Sequence, residues 1–196
     1  MKKDVLGFVA LLRGVNVGGN NAIPMSALSS LCNEIGCGNV QSYIQSGNLV
    51  FSAAGSQPAL EAELEGGIER RFGLSIPVVV RVAADWRSYL ENNPFPEASR
   101  AEPSRVMLAL SKRPPKPDAA HDLCERATNG ERVIQAGDAL LIHFPGGVGK
   151  SKLTPSLLDR VVGSSVTMRN WRTVVKLGEM VTQVRFPAAG RLPAAD

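Results

Sequence analysis

The first 96 residues alternate between short apolar runs and longer stretches in which apolar residues recur every three or four positions. Short runs rich in β-branched and aromatic residues predict strands, and the longer spacing predicts amphipathic helices. The pattern predicts a buried strand at 5–12, a helix at 24–36, hairpin strands at 40–45 and 49–52, a helix at 60–73, a strand at 77–82 and a short helix capped by Asp85. This order is βαββαβ with one trailing helix.

The same order of elements returns after a polar connector at 97–104, although the two halves share no evident residue identity. The second half predicts a strand at 106–111, a helix capped by Asp118, hairpin strands at 132–135 and 139–144, a helix from Thr154 to Gly163, a strand at 165–168 and a last helix. We therefore predict one unit at 1–96, a second at 97–186 and a tail at 187–196.

The repeated order predicts an α+β fold of tandem ferredoxin-like units, each a split βαββαβ unit with an antiparallel sheet. Each half supplies the strands of one sheet and helices for one of its faces. The alternative is a single mixed sheet shared by both halves. In the tandem arrangement the glycine-rich loops lie at one shared edge.

Composition narrows the class of protein. In 196 residues, hydrophobic content of 44% and charged content of 20% are those of a globular chain and exclude a disordered, collagen-like or coiled-coil one. No apolar run approaches the roughly 18 residues of a membrane span, and the start has no signal pattern, so we expect a cytoplasmic protein with no membrane partner. Cys32, Cys37 and Cys124 lack paired spacing and neighbouring histidines, so we expect no disulfide, metal site or cofactor. The oligomeric state stays unknown at this stage.

Charge is concentrated in the second half. Residues 1–96 carry 7 basic and 8 acidic side chains, whereas residues 97–196 carry 15 and 10. Between 145 and 185 there are seven basic residues and two acidic ones. This excess indicates an anionic partner, and a solvated basic face is the alternative. A spacing of 100° per residue predicts that two faces of the last helix differ, with Trp171, Val174, Val175 and Gly178 on one and Arg169, Arg172, Thr173 and Lys176 on the other.

Four segments carry a more specific pattern. They are Leu12-Arg13-Gly14-Val15-Asn16-Val17-Gly18-Gly19, Tyr43-Ile44-Gln45-Ser46-Gly47-Asn48, Pro145-Gly146 with Gly149-Lys150-Ser151-Lys152-Leu153, and Thr167-Met168-Arg169-Asn170-Trp171 with Thr173-Val174 and Lys176-Leu177. In this order, over nearly the whole chain, they closely resemble the bacterial domain-of-unknown-function family 1697. The resemblance implies a two-part α+β fold of ferredoxin-like units and an uncharacterised protein with no established activity. Arg172 stands where the family more often has Asn, so the resemblance assigns that side chain no role.

Two glycine-rich loops are candidate ligand sites. Residues 144–152 end in Gly-Lys-Ser, but Phe144 stands where a P-loop needs glycine, so a Walker ATPase is not predicted. The loop can still form a backbone nest for an oxyanion, or it is a turn that needs positive φ. Loop 13–21 has no GxGxxG pattern, and the predicted hairpin excludes a dinucleotide fold. The polar residues of the hairpin tip either line a cleft or satisfy their own turn.

We predict that a small phosphate-bearing ligand, such as a nucleotide or another phosphorylated metabolite, binds in a basic cleft between the halves. Free N–H groups at the start of the last helix favour an anion there. The candidate ligand-binding residues are Arg13, Asn16, Gly18, Gly19, Gln45, Asn48, Gly149, Lys150, Ser151, Lys152, Arg169 and Asn170.

Other interpretations stay open. The four segments can instead build the junction between the halves in a structural or interaction module without a small ligand, with Arg169 paired to Asp159 or another acid. Nucleic-acid binding is weakly supported, because the third predicted strand lacks the basic and aromatic signature of an RNA-recognition motif. Whether a reaction is catalysed stays undecided, since neither His121 nor His143 stands in a recognisable relation to a nucleophile.

Overall fold

The structure of the protein, a computed structural model, describes residues 4–19 and 21–184. The strands are β1 (Val5–Leu12), β2 (Gly38–Tyr43), β3 (Asn48–Ala54), β4 (Val78–Val82), β5 (Val106–Ser111), β6 (Arg132–Ala136), β7 (Ala139–His143) and β8 (Val166–Asn170). The helices are α1 (Met25–Glu34), α2 (Gln57–Phe72), α3 (Ala83–Glu91), α4 (Pro96–Ala101), α5 (Ala119–Glu125), α6 (Pro155–Val162) and α7 (Trp171–Thr182). The predicted tail at 187–196 lies outside the described residues.

The two sheets have the same strand order. The first is β2-β3-β1-β4 and the second is β6-β7-β5-β8, with antiparallel neighbours throughout. In each sheet the first and third strands of the unit are central, which is the arrangement of a split βαββαβ unit. The predicted α+β fold of tandem ferredoxin-like units is therefore confirmed. The alternative of one mixed sheet is wrong, because the strands of the two halves form separate sheets.

Each sheet is covered on both faces. In the first sheet Phe8 and Phe51 face α1 and α2, and their stacked rings have centroids 5.8 Å apart. The opposite face, with Val9 and Leu11, belongs to a central core that also contains residues of β5, β7, α3 and α7. The remaining face of the second sheet is covered by α5 and α6. Both halves therefore build the central core, and the unbroken apolar run of β1 reflects burial on its two faces.

Helices α3 and α7 lie side by side in this core, each directly after the last strand of its unit. Trp86 Nε1 donates a hydrogen bond to the Val174 carbonyl at 3.0 Å, between residues 88 positions apart. Leu90 and Gly178 have the same offset, and a Cβ at position 178 would lie 2.5 Å from Leu90 Cδ1. Residues at equivalent positions of the two units therefore contact each other, which indicates an approximate twofold axis between the units. The two helices run in the same direction.

The connector between the units differs from its prediction. Residues 97–104 were predicted as a polar connector, yet Pro96 and the five residues after it form α4, with proline at a helix start that does not need its N–H. Asp85 does not cap α3, which begins two residues earlier, and its carboxylate instead accepts a hydrogen bond from Gln57 at 2.7 Å. Asp118 stands at the N-cap of α5 without a side-chain capping bond.

The start of α7 also differs in part. Strand β8 continues to Asn170, so Arg169 lies in a strand rather than at a helix start. Asn170 is the N-cap, and its side chain accepts a hydrogen bond from the Thr173 N–H at 3.0 Å. The predicted faces of α7 need two corrections, because Val175 is exposed whereas Thr173 is buried. Arg172 and Lys176 are exposed as predicted.

Candidate functional site

Loop 13–23 is held by its own polar side chains. Asn16 Nδ2 donates to the carbonyls of Ile23 at 2.9 Å and Gln45 at 2.7 Å, and Asn16 Oδ1 accepts from the Ile23 N–H at 2.9 Å. Arg13 extends to the second half, where its guanidinium pairs with Asp159 of α6 at 2.7 Å. Gly18 and Gly19 have positive φ and face open space. The loop is thus fastened both to the first hairpin and to α6.

The first hairpin turn packs directly against the end of β1. Gly47 has φ of +73°, and a Cβ there would lie 2.4 Å from Val15 Cγ2 and 2.7 Å from Leu12 Cβ. Its carbonyl accepts the Leu12 N–H at 2.8 Å. Only glycine fits this contact without displacement of its neighbours. The Ser-Gly-Asn turn is therefore explained by packing.

Arg169 connects the second half to this turn. Its Nε donates to Asn48 Oδ1 at 2.5 Å, and its Nη2 donates to the carbonyls of Leu12 at 2.8 Å, Ser46 at 2.9 Å and Gly47 at 3.3 Å. Its remaining nitrogen binds Thr167 and the Met168 carbonyl. The side chain is buried, no carboxylate of the described residues pairs with it, and desolvation lowers its pKa to about 10. Three of the four family-like segments thus meet at one guanidinium.

The second glycine loop is organised by a different residue. Glu131 accepts hydrogen bonds from Ser151 Oγ at 2.5 Å and from the N–H groups of Asn129 and Thr128. Desolvation raises the pKa of Glu131, but these hydrogen bonds outweigh it and lower the pKa overall. The N–H groups of Lys150 and Ser151 donate to carbonyls within the loop. The Ser151 hydroxyl and the N–H groups of Lys150 and Ser151 are therefore already bonded within the protein.

The structure brings together only part of the predicted site. Asn16, Gln45, Asn48 and Arg169 meet at the first hairpin, whereas Ser151 and its neighbours are bonded to the turn around Glu131. The side chains of Lys150 and Lys152 are exposed. No finding tests ligand binding by these residues, so that site stays a prediction.

A cleft lies nearby, between the end of β2, the last turn of α3, α4 and the outer side of α7. It has a volume of about 660 Å³, within the range of small-molecule sites. We name it the inter-half cleft, and it is lined by Tyr43, Leu90, Glu91, Asn93, Pro96, Ser99, Arg100, Pro103, Trp171, Arg172, Val175, Lys176 and Glu179. The site predicted from the sequence includes none of these residues. The basic face predicted for α7 was the available signal, because it contains Arg172 and Lys176.

Three cations of the cleft differ in their pairing. Arg172 has no hydrogen bond or ion pair with any described residue. Lys176 pairs with Glu179 at 3.1 Å on the same helix, and Arg100 pairs with Glu97 at 3.4 Å, both at exposed positions. Exposed pairs of this kind contribute about 0–1 kcal/mol and break readily. All three cations are therefore available to an anion.

The cleft has a defined floor and ends. Leu90 contributes the apolar floor where α3 contacts α7. The Trp171 N–H donates to the Pro103 carbonyl at 3.0 Å, which attaches the exit of α4 to the first turn of α7. Asn93 and Ser99 bind each other at 2.7 Å and shape the entry of α4. These contacts hold the walls in place without any bound group.

Other chemistry-bearing groups are scattered. Among the described residues no group of three or more His, Cys, Asp or Glu side chains is placed to hold a metal ion. His143 Nε2 lies 2.8 Å from Glu102 Oε1 and its ring packs on Phe95, while His121 is an exposed neighbour of Glu125. Within residues 4–19 and 21–184 no helix is both long enough and apolar enough to cross a membrane.

Comparison with known families gives one match. The model of a family described as a protein of unknown function (DUF1697) matches residues 6–140. The chain belongs to this family. The resemblance to this family is thus confirmed. The first two of the four segments lie within the matched residues, and the last two, with α7, lie beyond them. A search of curated proteins gives no match.

Among solved structures, the DUF1697 chain is similar to a conserved bacterial protein from Streptococcus pneumoniae. The two share 23% sequence identity and superpose with a TM-score of 0.72, over 91% of this chain and 99% of the other. At this identity the likeness shows the fold alone. It extends past the family match and includes most of the second ferredoxin-like unit.

Proposed function

We propose that the protein binds a small phosphate-bearing ligand in the inter-half cleft. The observation that carries the proposal is Arg172, an exposed guanidinium without a partner among residues 4–19 and 21–184, at the edge of a cavity of about 660 Å³. Lys176 lies one helical turn further along the same face. A planar guanidinium beside an ammonium suits phosphate, which accepts several charge-assisted hydrogen bonds.

Binding in the cleft is energetically favoured over binding at the glycine loops, because the polar groups of the loops are already bonded. Arg169, Ser151 and Asn16 already use their polar atoms on protein acceptors and donors. A ligand that recruited them would first have to break these bonds, at about 1–3 kcal/mol for each buried group left unpaired. The cations of the cleft require no such loss.

Binding of phosphate compounds to the purified protein tests the proposal directly. We expect inorganic phosphate, sugar phosphates and nucleotides to raise the melting temperature in a concentration-dependent way, since a ligand of the folded state stabilises it by mass action. Arg172→Ala should weaken the binding by about tenfold, which corresponds to the loss of one charge-assisted contact. Arg160→Ala, at an exposed position on α6, removes the same charge elsewhere and should leave binding unchanged.

A second function is favoured by the junction itself. Arg169 donates to the Leu12 carbonyl and Arg13 pairs with Asp159, both between the halves, and contacts of this kind support a structural or interaction module without a small ligand. In that case no phosphate compound changes the melting temperature, or Arg172→Ala and Arg160→Ala weaken a general charge effect equally. A nucleic-acid partner would instead show a steep fall of log affinity with log salt concentration.

A further inference from the structure

The polar groups of the inter-half cleft are sorted by sign along its length. Helix α4 begins near the end of α3 and ends at Ala101, two residues before Pro103, whose carbonyl accepts the N–H of the first residue of α7. Arg100, in the last turn of α4, and Arg172, in the first turn of α7, therefore lie toward the same end of the cleft. Tyr43 lines this end as well, because its carbonyl accepts from Asn48, which in turn binds Arg169 just before α7.

The other end of the cleft is acidic. Glu91 and Glu179 both follow the contact between Leu90 and Gly178, and α3 and α7 run in the same direction there. Their carboxylates thus lie toward the C-terminal end of the helix pair. Seven residues of helix separate Arg172 from Glu179, a rise of about 10 Å along the axis. Arg100 and Arg172 thus lie at one end of the cleft and Glu91 and Glu179 at the other, with Lys176 between the ends and paired with Glu179 at 3.1 Å.

An apolar surface joins the two ends. On α7, Trp171 and Val175 are one turn apart and alternate with the basic pair Arg172 and Lys176. Val175 is 39% exposed, whereas the other apolar residues of α7 are buried or partly buried. Leu90 continues this surface on α3. A flat apolar group that lies along α7 covers Val175 and the accessible edge of Trp171, and such coverage is favourable in proportion to the apolar area removed from water.

We propose that the ligand of the cleft is a nucleoside monophosphate whose base carries an exocyclic amino group, an inference that rests on the proposed function. The phosphate binds at the Arg100 and Arg172 end, the base lies on Val175 and Trp171, and the amino group donates to Glu179 or Glu91. A sugar phosphate lacks the flat apolar group that the middle of the cleft accommodates. A base without an amino group, such as uracil or hypoxanthine, offers the acidic end only one ring N–H donor, so its contact with a carboxylate is weaker.

Isothermal titration calorimetry with a panel of probes tests this inference. The probes are adenosine, cytidine and guanosine monophosphates, which carry the amino group, uridine and inosine monophosphates, which lack it, and ribose 5-phosphate. We expect the amino-bearing nucleotides to bind at least about tenfold more tightly than ribose 5-phosphate, and more tightly than their counterparts without the amino group. Glu179→Gln should reduce the preference for adenosine over inosine monophosphate, whereas Val175→Asn, which removes the apolar contact without adding a charge, should weaken every nucleotide and leave ribose 5-phosphate little changed.

The outcomes separate this inference from the function beneath it. If ribose 5-phosphate binds as tightly as the nucleotides and Arg172→Ala weakens both, the cleft is a phosphate site and the nucleotide assignment is wrong. If the nucleotides bind but none is preferred for its amino group, the orientation toward the acidic end is wrong. If no probe binds, or Arg172→Ala has no effect where Arg160→Ala also has none, the proposed function itself fails. Retained circular dichroism spectra and melting temperatures check that each variant is folded.

Discussion

Two buried arginines occupy equivalent places in the two halves. Arg81 is the fourth residue of β4 and Arg169 the fourth of β8, and 88 positions separate them. Each reaches into the other half and donates to the carbonyl of the last residue of its first strand, Ser111 at 2.6 Å for Arg81 and Leu12 at 2.8 Å for Arg169. The junction between the halves therefore repeats one contact about an approximate twofold axis.

The partners of the two guanidinium groups differ in charge. Arg81 Nε pairs with Asp138 at 2.9 Å, and the Tyr89 hydroxyl donates to the same carboxylate at 2.6 Å. Arg169 instead binds the amide oxygen of Asn48 and backbone carbonyls. A buried charge needs a paired charge or a full set of hydrogen bonds. Arg81 has a paired charge, and Arg169 has a full set of hydrogen bonds, although both occupy the same position of the fold.

The largest effect should follow the loss of the carbonyl-bound arginine. Arg169→Ala leaves the acceptors of Leu12, Gly47 and Asn48 buried without their donor, and each buried acceptor left unpaired costs about 1–3 kcal/mol. Urea denaturation measures this loss, with Arg160→Ala as the exposed control from the same half. A loss below about 1 kcal/mol would show that water replaces the guanidinium and that the network is not structural.

Replacement by lysine sharpens the comparison of the two arginines. Lysine at 81 keeps an ion pair with Asp138, whereas lysine at 169 has no carboxylate to meet and cannot reproduce the fork of five N–H donors. We expect Arg169→Lys to lose about 1 kcal/mol more of the free energy of unfolding than Arg81→Lys. Equal losses in matched urea titrations would mean that hydrogen-bond geometry, not charge pairing, dominates both sites.

A smaller effect is expected from the partner of Arg81. Asp138→Asn keeps an oxygen for Arg81 or Tyr89 but removes the charge, and the side chain of Asp138 is 36% exposed. Solvent screening at this exposure limits the loss to about 1 kcal/mol. Addition of 1 M salt should shrink the difference between wild type and variant, because salt screens an exposed pair. If the difference in the free energy of unfolding does not change with salt, the lost hydrogen bond causes it rather than the lost charge.

The comparison also shows what the sequence can reveal. Strands, helices and their order follow from the apolar spacing, since burial requires that spacing wherever the element lies. The roles of Arg81 and Arg169 do not, because their acceptors are backbone carbonyls and side chains up to 157 positions away. The predicted alternative of a structural junction pairs Arg169 with Asp159 or another acid. In the structure Asp159 binds Arg13, and Arg169 binds Asn48 and backbone carbonyls.

The inter-half cleft illustrates a second limit. Its walls come from Tyr43, the end of α3, α4 and α7, and α4 itself lies in a segment whose polar composition predicts only a connector. A cleft between elements that are distant in sequence has no local pattern. The basic face of α7 could be predicted because Arg172 and Lys176 follow helical spacing, but that spacing does not reveal what they face.

The smallest expected effect is a pH dependence of stability at the Arg81 site, which the Arg169 site should lack. Glu61 lies 3.8 Å from Arg81 and accepts the Val80 N–H at 2.9 Å, and desolvation by burial raises the pKa of its carboxyl above the ordinary value. A raised pKa in the folded state means that its contribution to stability is full below the unfolded-state pKa and is lost as the pH rises through the folded-state pKa. Glu61→Gln stays neutral and retains an oxygen for Val80, so its free energy of unfolding should increase relative to that of wild type as the pH rises from about 4 to 7.

Denaturation of both proteins across this range measures the gain, and Glu69→Gln, at an exposed position on the same helix, controls for the loss of one charge from α2. If the gap between Glu61→Gln and wild type is the same at every pH, the carboxylate is already compensated by Arg81, and the two arginine sites differ less than their partners suggest.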